Sequence, residues 1–133
     1  MEIETNYLIL KKDDSNIVGT YYIYMKNPKK LIGSITYRGY HFDQKMGDIG
    51  SIIHSSYKNN GLGKEALFKI IELLNQNNIP DFWITCESKN EVSKHIINKY
   101  LDIESIKEIE DVIQYRCSTN LQNQKTENNK KQI

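Results

Sequence analysis

Net charge is almost absent from this chain, whose 133 residues carry 18 Lys and Arg against 17 Asp and Glu. No overall field draws it to nucleic acid or to an anionic membrane surface, so any anion site must be local. Cysteine is scarce as well. Cys86 and Cys117 each sit inside an apolar stretch and in no Cys-x-x-Cys or Cys/His spacing. They read as buried, reduced thiols rather than a metal or redox pair. Long apolar runs are missing too: the one within residues 1–12 is too short for a signal h-region and lacks a cleavage site. These absences lead to the expectation of a soluble, cytoplasmic protein with no nucleic-acid, membrane or metal partner. There is no internal repeat, and the length suits one domain.

What is present is globular in composition, with 38% hydrophobic and 26% charged residues. Residues 119–133 form a polar stretch whose only sizeable apolar groups are Leu121 and Ile133. The expectation is a disordered tail behind a domain at 1–118. Within that domain, residues 7–10, 20–25, 31–37 and 48–54 are β-branched and aromatic-rich runs separated by Asp, Asn, Pro and Gly. Four strands with short turns follow. Ala66, Leu67, Ile70, Ile71, Leu73 and Leu74 then recur at helical spacing, up to Asn77-Asn78. Residues 81–87 alternate in a way that suits a fifth strand buried on both faces, and strand, helix, strand implies a right-handed parallel crossover. Ser88-Lys89-Asn90-Glu91 reads as a capping box before a second helix whose one face is Val92, Ile96 and Tyr100. Strands at 103–109 and 112–117, turning at Glu110-Asp111, close the domain.

The chemistry-bearing segment lies between the fourth strand and the first helix: Ser55-Ser56-Tyr57-Lys58-Asn59-Asn60-Gly61-Leu62-Gly63-Lys64. A helix N-terminus carries unpaired N–H groups and partial positive charge, and glycines there let a phosphate approach the main chain. A tight turn would also use such glycines, so the context must decide. A Walker loop is excluded because Glu65 stands where the magnesium-binding hydroxyl belongs. A dinucleotide fingerprint is satisfied by Gly61, Gly63 and Ala66, but six residues separate the strand from the first glycine, and too little chain follows for a doubly wound sheet.

The run from Gly50 to Leu67, Gly50-Ser51-Ile52-Ile53-His54-Ser55-Ser56-Tyr57-Lys58-Asn59-Asn60-Gly61-Leu62-Gly63-Lys64-Glu65-Ala66-Leu67, resembles motif A of the GNAT acetyltransferases. Lys58 replaces the usual Arg or Gln, while Tyr57 and Glu65-Ala66-Leu67 are similar to the ribosomal-protein N-terminal acetyltransferase branch. Residues 84–87, with Asn90 and Ser93, resemble motif B at the expected separation, and residues 2–10 look like that branch's first strand.

The resemblance implies an α/β (α+β) fold: a mixed, largely antiparallel sheet of about seven strands, a parallel and splayed pair formed by the fourth and fifth, and a β-α-β-α-β-β C-terminal half. It implies acetyl-CoA as donor, with the pantetheine arm along Ser51, Ile52 and Ile53. The diphosphate would lie on the main chain of Lys58, Asn59, Asn60, Gly61, Leu62, Gly63 and Lys64, with Asn90 facing the arm or capping the helix. Amine attack on a thioester needs a base and an acid. Asp48, His54 and Glu87 are candidate bases; Ser93 and Tyr100 are candidate acids, because Ile97 occupies the position of the family's usual tyrosine. The helices that normally wall the acceptor groove do not fit into residues 11–18. Recognition would then fall to residues 40–47, to Tyr21, Tyr22 and Tyr24, or to a neighbouring subunit in a homodimer. The expected activity is N-acetylation of a small-molecule or peptide amine; a non-catalytic acyl-CoA-binding domain and a nucleotide-binding module are the alternatives.

Overall fold

A computed structural model describes residues 1–39, 47–53 and 61–120, for 51–53 the backbone alone. Its elements are β1 (Glu2–Glu4), β2 (Leu8–Lys11), β3 (Gly19–Lys26), β4 (Lys29–Arg38), β5 (Asp48–Ile53), α1 (Leu62–Gln76), β6 (Asp81–Glu87), α2 (Glu91–Tyr100), β7 (Ile103–Ile109) and β8 (Val112–Ser118). They form one sheet in the order β1-β2-β3-β4-β5-β6-β8-β7. Every neighbouring pair is antiparallel except β5 with β6, which is parallel. The expected mixed sheet is therefore present, with eight strands among the described residues rather than seven. The added strand, β1, has two carboxylates in three residues and gives no apolar signal. It is held by pairing with β2 and by ion pairs from Glu2 to Lys11 (3.2 Å) and Glu4 to Lys26 (3.3 Å). Such a short, charged edge resists pairing with another chain.

Partners across a ladder project to the same side, so register identifies the two faces. Leu10 pairs with Ile23, Tyr21 with Ile35, Tyr37 with Ile49, Ile49 with Ile84 and Ile84 with Tyr115. Leu10, Ile23, Tyr21, Ile35, Tyr37, Ile49 and Tyr115 are buried, in one cluster with Ala66, Leu67, Ile70, Ile71 and Leu74 of α1 and Ile97 of α2. Two successive right-handed crossovers in one direction place both helices on this face. The opposite face carries Tyr22 and Leu31, 46% and 43% exposed, and no described helix covers it. That asymmetry corrects the expectation that β6 is buried on both sides. Phe82 is fully buried, whereas Trp83 is half-buried and Thr85 and Glu87 are exposed.

Two further boundaries differ from the sequence reading. The cap of α2 is Asn90, whose Oδ1 accepts from the Ser93 N–H at 3.1 Å. Ser88 is instead drawn into the turn opposite, its N–H donating to Asp111 O at 2.7 Å. The buried residue of the helix is accordingly Ile97, 2% exposed, and Val92 from the expected face is 53% exposed. At the C-terminal end, Thr119 is fully buried; its N–H donates to Pro80 O (2.8 Å) and its hydroxyl to Ile79 O. Ordered packing thus extends past 118, and residues 121–133 lie outside the described ones.

Candidate active site

The parallel ladder between β5 and β6 is short. Asp48 pairs with Trp83 and Ile49 with Ile84, and below them the Trp83 N–H donates to Gly47 O at 2.8 Å. Beyond Ile49 and Ile84 no pair joins the two strands, although β5 runs on to Ile53 and β6 to Glu87. Each strand is held by its other neighbour instead: β5 pairs with β4 up to Ile53, and β6 with β8 up to Glu87. The result is a splay, closed at Asp48 and Trp83 and open toward the ends of both strands. Strand-edge N–H and C=O groups seek partners, and an extended amide-bearing chain laid into this gap would supply them.

Gly47 allows the closed end to form. A Cβ there would meet Arg38 O at 2.2 Å and the Tyr37 ring at 2.5 Å, so only glycine permits that approach. Asp48 follows it and is 4% exposed. Both its carboxylate oxygens accept from Arg38, Oδ1 from Nε at 2.6 Å and Oδ2 from a terminal nitrogen at 2.7 Å. This bidentate pair ties the end of β4 to the start of β5.

At the open end two helices begin. Gly61 caps α1 in the left-handed region (φ 84°), without any side-chain capping bond, and its carbonyl accepts the first helical bond from the Glu65 N–H. Among the described residues, a Cβ built on Gly61 would meet no atom within 4 Å. This is a helix N-terminus suited to an anionic group. Glu65, which enters the sequence reading as an argument against a Walker loop and as part of the motif A resemblance, anchors the turn from outside: its Oε2 accepts from the Tyr7 N–H at 2.9 Å and from the Thr5 hydroxyl. Nothing in the pattern of residues signals that link, which spans 58 positions.

The second helix starts at Asn90 after a tight turn in which the Asn90 N–H donates to Glu87 O at 3.0 Å. Asn90 Oδ1 is used in capping, and among the described residues its Nδ2 has no partner; neither does the Ser93 hydroxyl. Glu87 is exposed, with Lys89 at 3.8 Å. Tyr100, at the far end of α2, stands apart from this group. Its ring meets Phe68 edge-on at 5.9 Å, and the ammonium groups of Lys64 and Lys99 lie 4.2 and 5.2 Å from its centroid. Those two lysines, Lys99 first, hold the phenol below its ordinary range. Cys86 is half-buried and Cys117 buried, both unbridged, and burial pushes the Cys86 thiol up.

The backbone of Ser51, Ile52 and Ile53 and the residue Glu87 thus lie on the open ends of the two splayed strands, with Asp48 at the closed end; Asn90 and Ser93 open α2 just after β6, and Gly61, Leu62, Gly63 and Lys64 open α1. Lys58, Asn59, Asn60 and His54, and residues 40–46 of the acceptor loop, lie outside the described residues. A separate cavity of about 610 Å³, lined by Tyr37, Gly47, Ile79 and Arg116 among others, opens at the other end of the strands. Among the described residues no cluster of His, Cys, Asp and Glu could hold a metal ion, and no helix is long and apolar enough to cross a membrane.

Known proteins share this architecture. An acetyltransferase of the GNAT family from Bacillus anthracis is similar at a TM-score of 0.68 with 16% identity, over 89% of this chain and 97% of that one. An acetyltransferase from Agrobacterium tumefaciens matches at 0.69 with 12% identity, over 87% and 93%. RimL, a ribosomal-protein α-N-acetyltransferase solved in complex with coenzyme A, matches at 0.61 with 17% identity, over 86% and 64%. No curated protein sequence matches the chain. The sequence model of the acetyltransferase (GNAT) domain, however, matches residues 2–100, through both helices and the splay between them, and the chain therefore belongs to the GNAT acetyltransferase family.

Proposed function

We propose that this protein is an N-acetyltransferase that takes the acetyl group from acetyl-CoA and passes it to a primary amine of a small molecule or peptide by direct attack. The observation that carries this reading is the ladder break above Ile49 and Ile84, ending beside a helix that starts at a left-handed glycine. Acetyl-CoA supplies the activated thioester. The chain's part is to hold it: backbone groups of 51–53 pair with the amide-bearing arm, the 61–64 turn and the loop before it receive the diphosphate, and the Asn90 Nδ2 donates to the arm. A main-chain N–H next to the splay stabilises charge developing on the carbonyl oxygen. Attack forms the C–N bond and breaks the C–S bond; one proton leaves the amine and one returns to the thiolate.

Of the carboxylates, Asp48 has both oxygens engaged by Arg38, which makes it a holder of the closed end, and exposed Glu87 is the better placed base. Ser93 is the candidate for returning the proton, since its hydroxyl is not engaged among the described residues. The second reading, acyl-CoA binding without turnover, is favoured by the burial of Ile97 at the position of the family's tyrosine.

Calorimetry against acetyl-CoA, CoA, NAD and ATP, followed by thiol release with a panel of amines, tests both. Selective binding of the CoA species with amine-dependent thiol release supports the first reading; binding with no release on any amine supports the second; tighter binding of NAD or ATP overturns both. In a protein that turns over, Ser93→Ala is expected to lower kcat about tenfold or more while KM for acetyl-CoA stays within about twofold, the pattern of a contact made only in the transition state. Tyr100→Phe is expected to leave kcat near normal. The reverse pattern would move the proton donor to Tyr100.

A further inference from the structure

Among the described residues, pairs of lysine ammonium groups converge on a single aromatic ring at two places. On the uncovered sheet face Lys11 and Lys29 approach Tyr24 at 5.4 and 6.0 Å, and there Glu2 pairs with Lys11 at 3.2 Å. The second place is different. Lys64 and Lys99 approach Tyr100 at 4.2 and 5.2 Å, and among the described residues no carboxylate pairs with either. A cation is attracted to the face of an aromatic ring. Gathering two like charges opposes that gain, and an anion between them removes the opposition.

The position of this pair narrows the anion. Lys64 is the third residue of α1, inside the turn that receives the diphosphate, and Lys99 and Tyr100 close α2 beside it. Phe68, one turn further along α1, fixes the ring edge-on at an interplanar angle of 85°. Two ammonium groups and one phenol therefore stand together beside the diphosphate turn. Such a set suits a phosphomonoester: its oxygens accept charge-assisted bonds from both lysines, and its roughly two negative charges match theirs. The nucleotide end of CoA carries one such group, on the ribose 3′ position.

We infer that Lys64, Tyr100 and Lys99 seat the 3′-phosphate of CoA and make the protein select CoA over 3′-dephospho-CoA. This rests on the donor reading above and adds to it the part of the donor that is read. The lowered phenol of Tyr100 agrees with it, because the same two cations that favour the phenolate favour a phosphate oxygen in contact with the ring's hydroxyl. The role differs from that of the α1 N-terminus, which contacts a diphosphate that both molecules contain.

Titration calorimetry of the intact protein with CoA and with 3′-dephospho-CoA separates the possibilities. The wild type is expected to bind CoA about tenfold or more tightly, the difference one good charge-assisted pair makes. Lys99→Gln should weaken CoA several-fold while leaving 3′-dephospho-CoA within about twofold, and Lys64→Gln, which also removes a charge from the diphosphate turn, should weaken CoA several-fold more than it weakens 3′-dephospho-CoA. The double variant should bind the two alike, and Lys64→Arg should keep the preference. Equal affinities in the wild type overturn the inference while leaving the donor reading intact, as does a double variant that weakens both ligands equally. Failure to bind either ligand overturns the donor reading and the inference with it. Thermal melts accompany each variant. Should Lys64→Gln not fold, Lys99→Gln, near the end of the other helix, decides alone.

Discussion

Gly61 shows how one residue serves two demands. Its φ of 84° lies where a Cβ is disfavoured, at about 1–2 kcal/mol for an L residue. Among the described residues no atom lies within 4 Å of a Cβ built there, so against these a side chain meets strain rather than a clash. Gly61→Ala is therefore expected to lower stability by about 1 kcal/mol in denaturant melts and to leave a folded protein. Gly61→Val should in addition fill the space before the first turn and weaken acetyl-CoA more than about tenfold by calorimetry. Unchanged affinity in a folded Gly61→Val protein would remove the diphosphate from this turn. The need for glycine here is readable from the residue pattern. At Gly47 it is not, because the atoms it avoids, Arg38 O and the Tyr37 ring, come from the neighbouring strand.

At the scale of elements, β3 carries a buried tyrosine that makes the sheet sensitive to alkali. Tyr21 is fully buried, donates to Ile17 O and has its phenol pushed up to about 12, by burial first and by the Asp14 carboxylate second. Folding thus favours the neutral phenol. Its contribution is complete below the ordinary tyrosine value of 10.0 and is lost as pH rises through about 12. Stability measured in denaturant is expected to fall across that interval. Tyr21→Phe should lose about 1 kcal/mol at neutral pH, where the hydrogen bond disappears, and should flatten the alkaline decline. A residual slope is expected from Tyr37 and Tyr115, both also raised by burial. A wild type whose stability is level from pH 10 to 12 would show that this phenol ionises equally well in both states.

For the molecule as a whole, Thr119 is the last buried residue among the described ones. A chain ending at Asn120 is expected to melt with the full-length protein, whereas one ending at Ser118 should lose about 1–3 kcal/mol, since Pro80 O and Ile79 O lose their donors and a buried side chain is removed. Equal melting of the two would show that Thr119 adds nothing. The composition of 119–133 does not reveal the burial of Thr119, because threonine belongs equally to a polar stretch and to the end of a strand. What the sequence by itself determined was local: the order of strands and helices, the parallel crossover, and the glycine turn that opens α1. Each rests on periodicity or backbone preference within a few residues. Tertiary structure decided which face the helices cover, that Ile97 rather than Val92 turns inward, that Asp48 is held by Arg38, and that Lys64 and Lys99 meet at Tyr100. Those outcomes depend on register and on contacts between residues far apart in the chain, and a burial or charge pairing of that kind exists only once the sheet has been assembled.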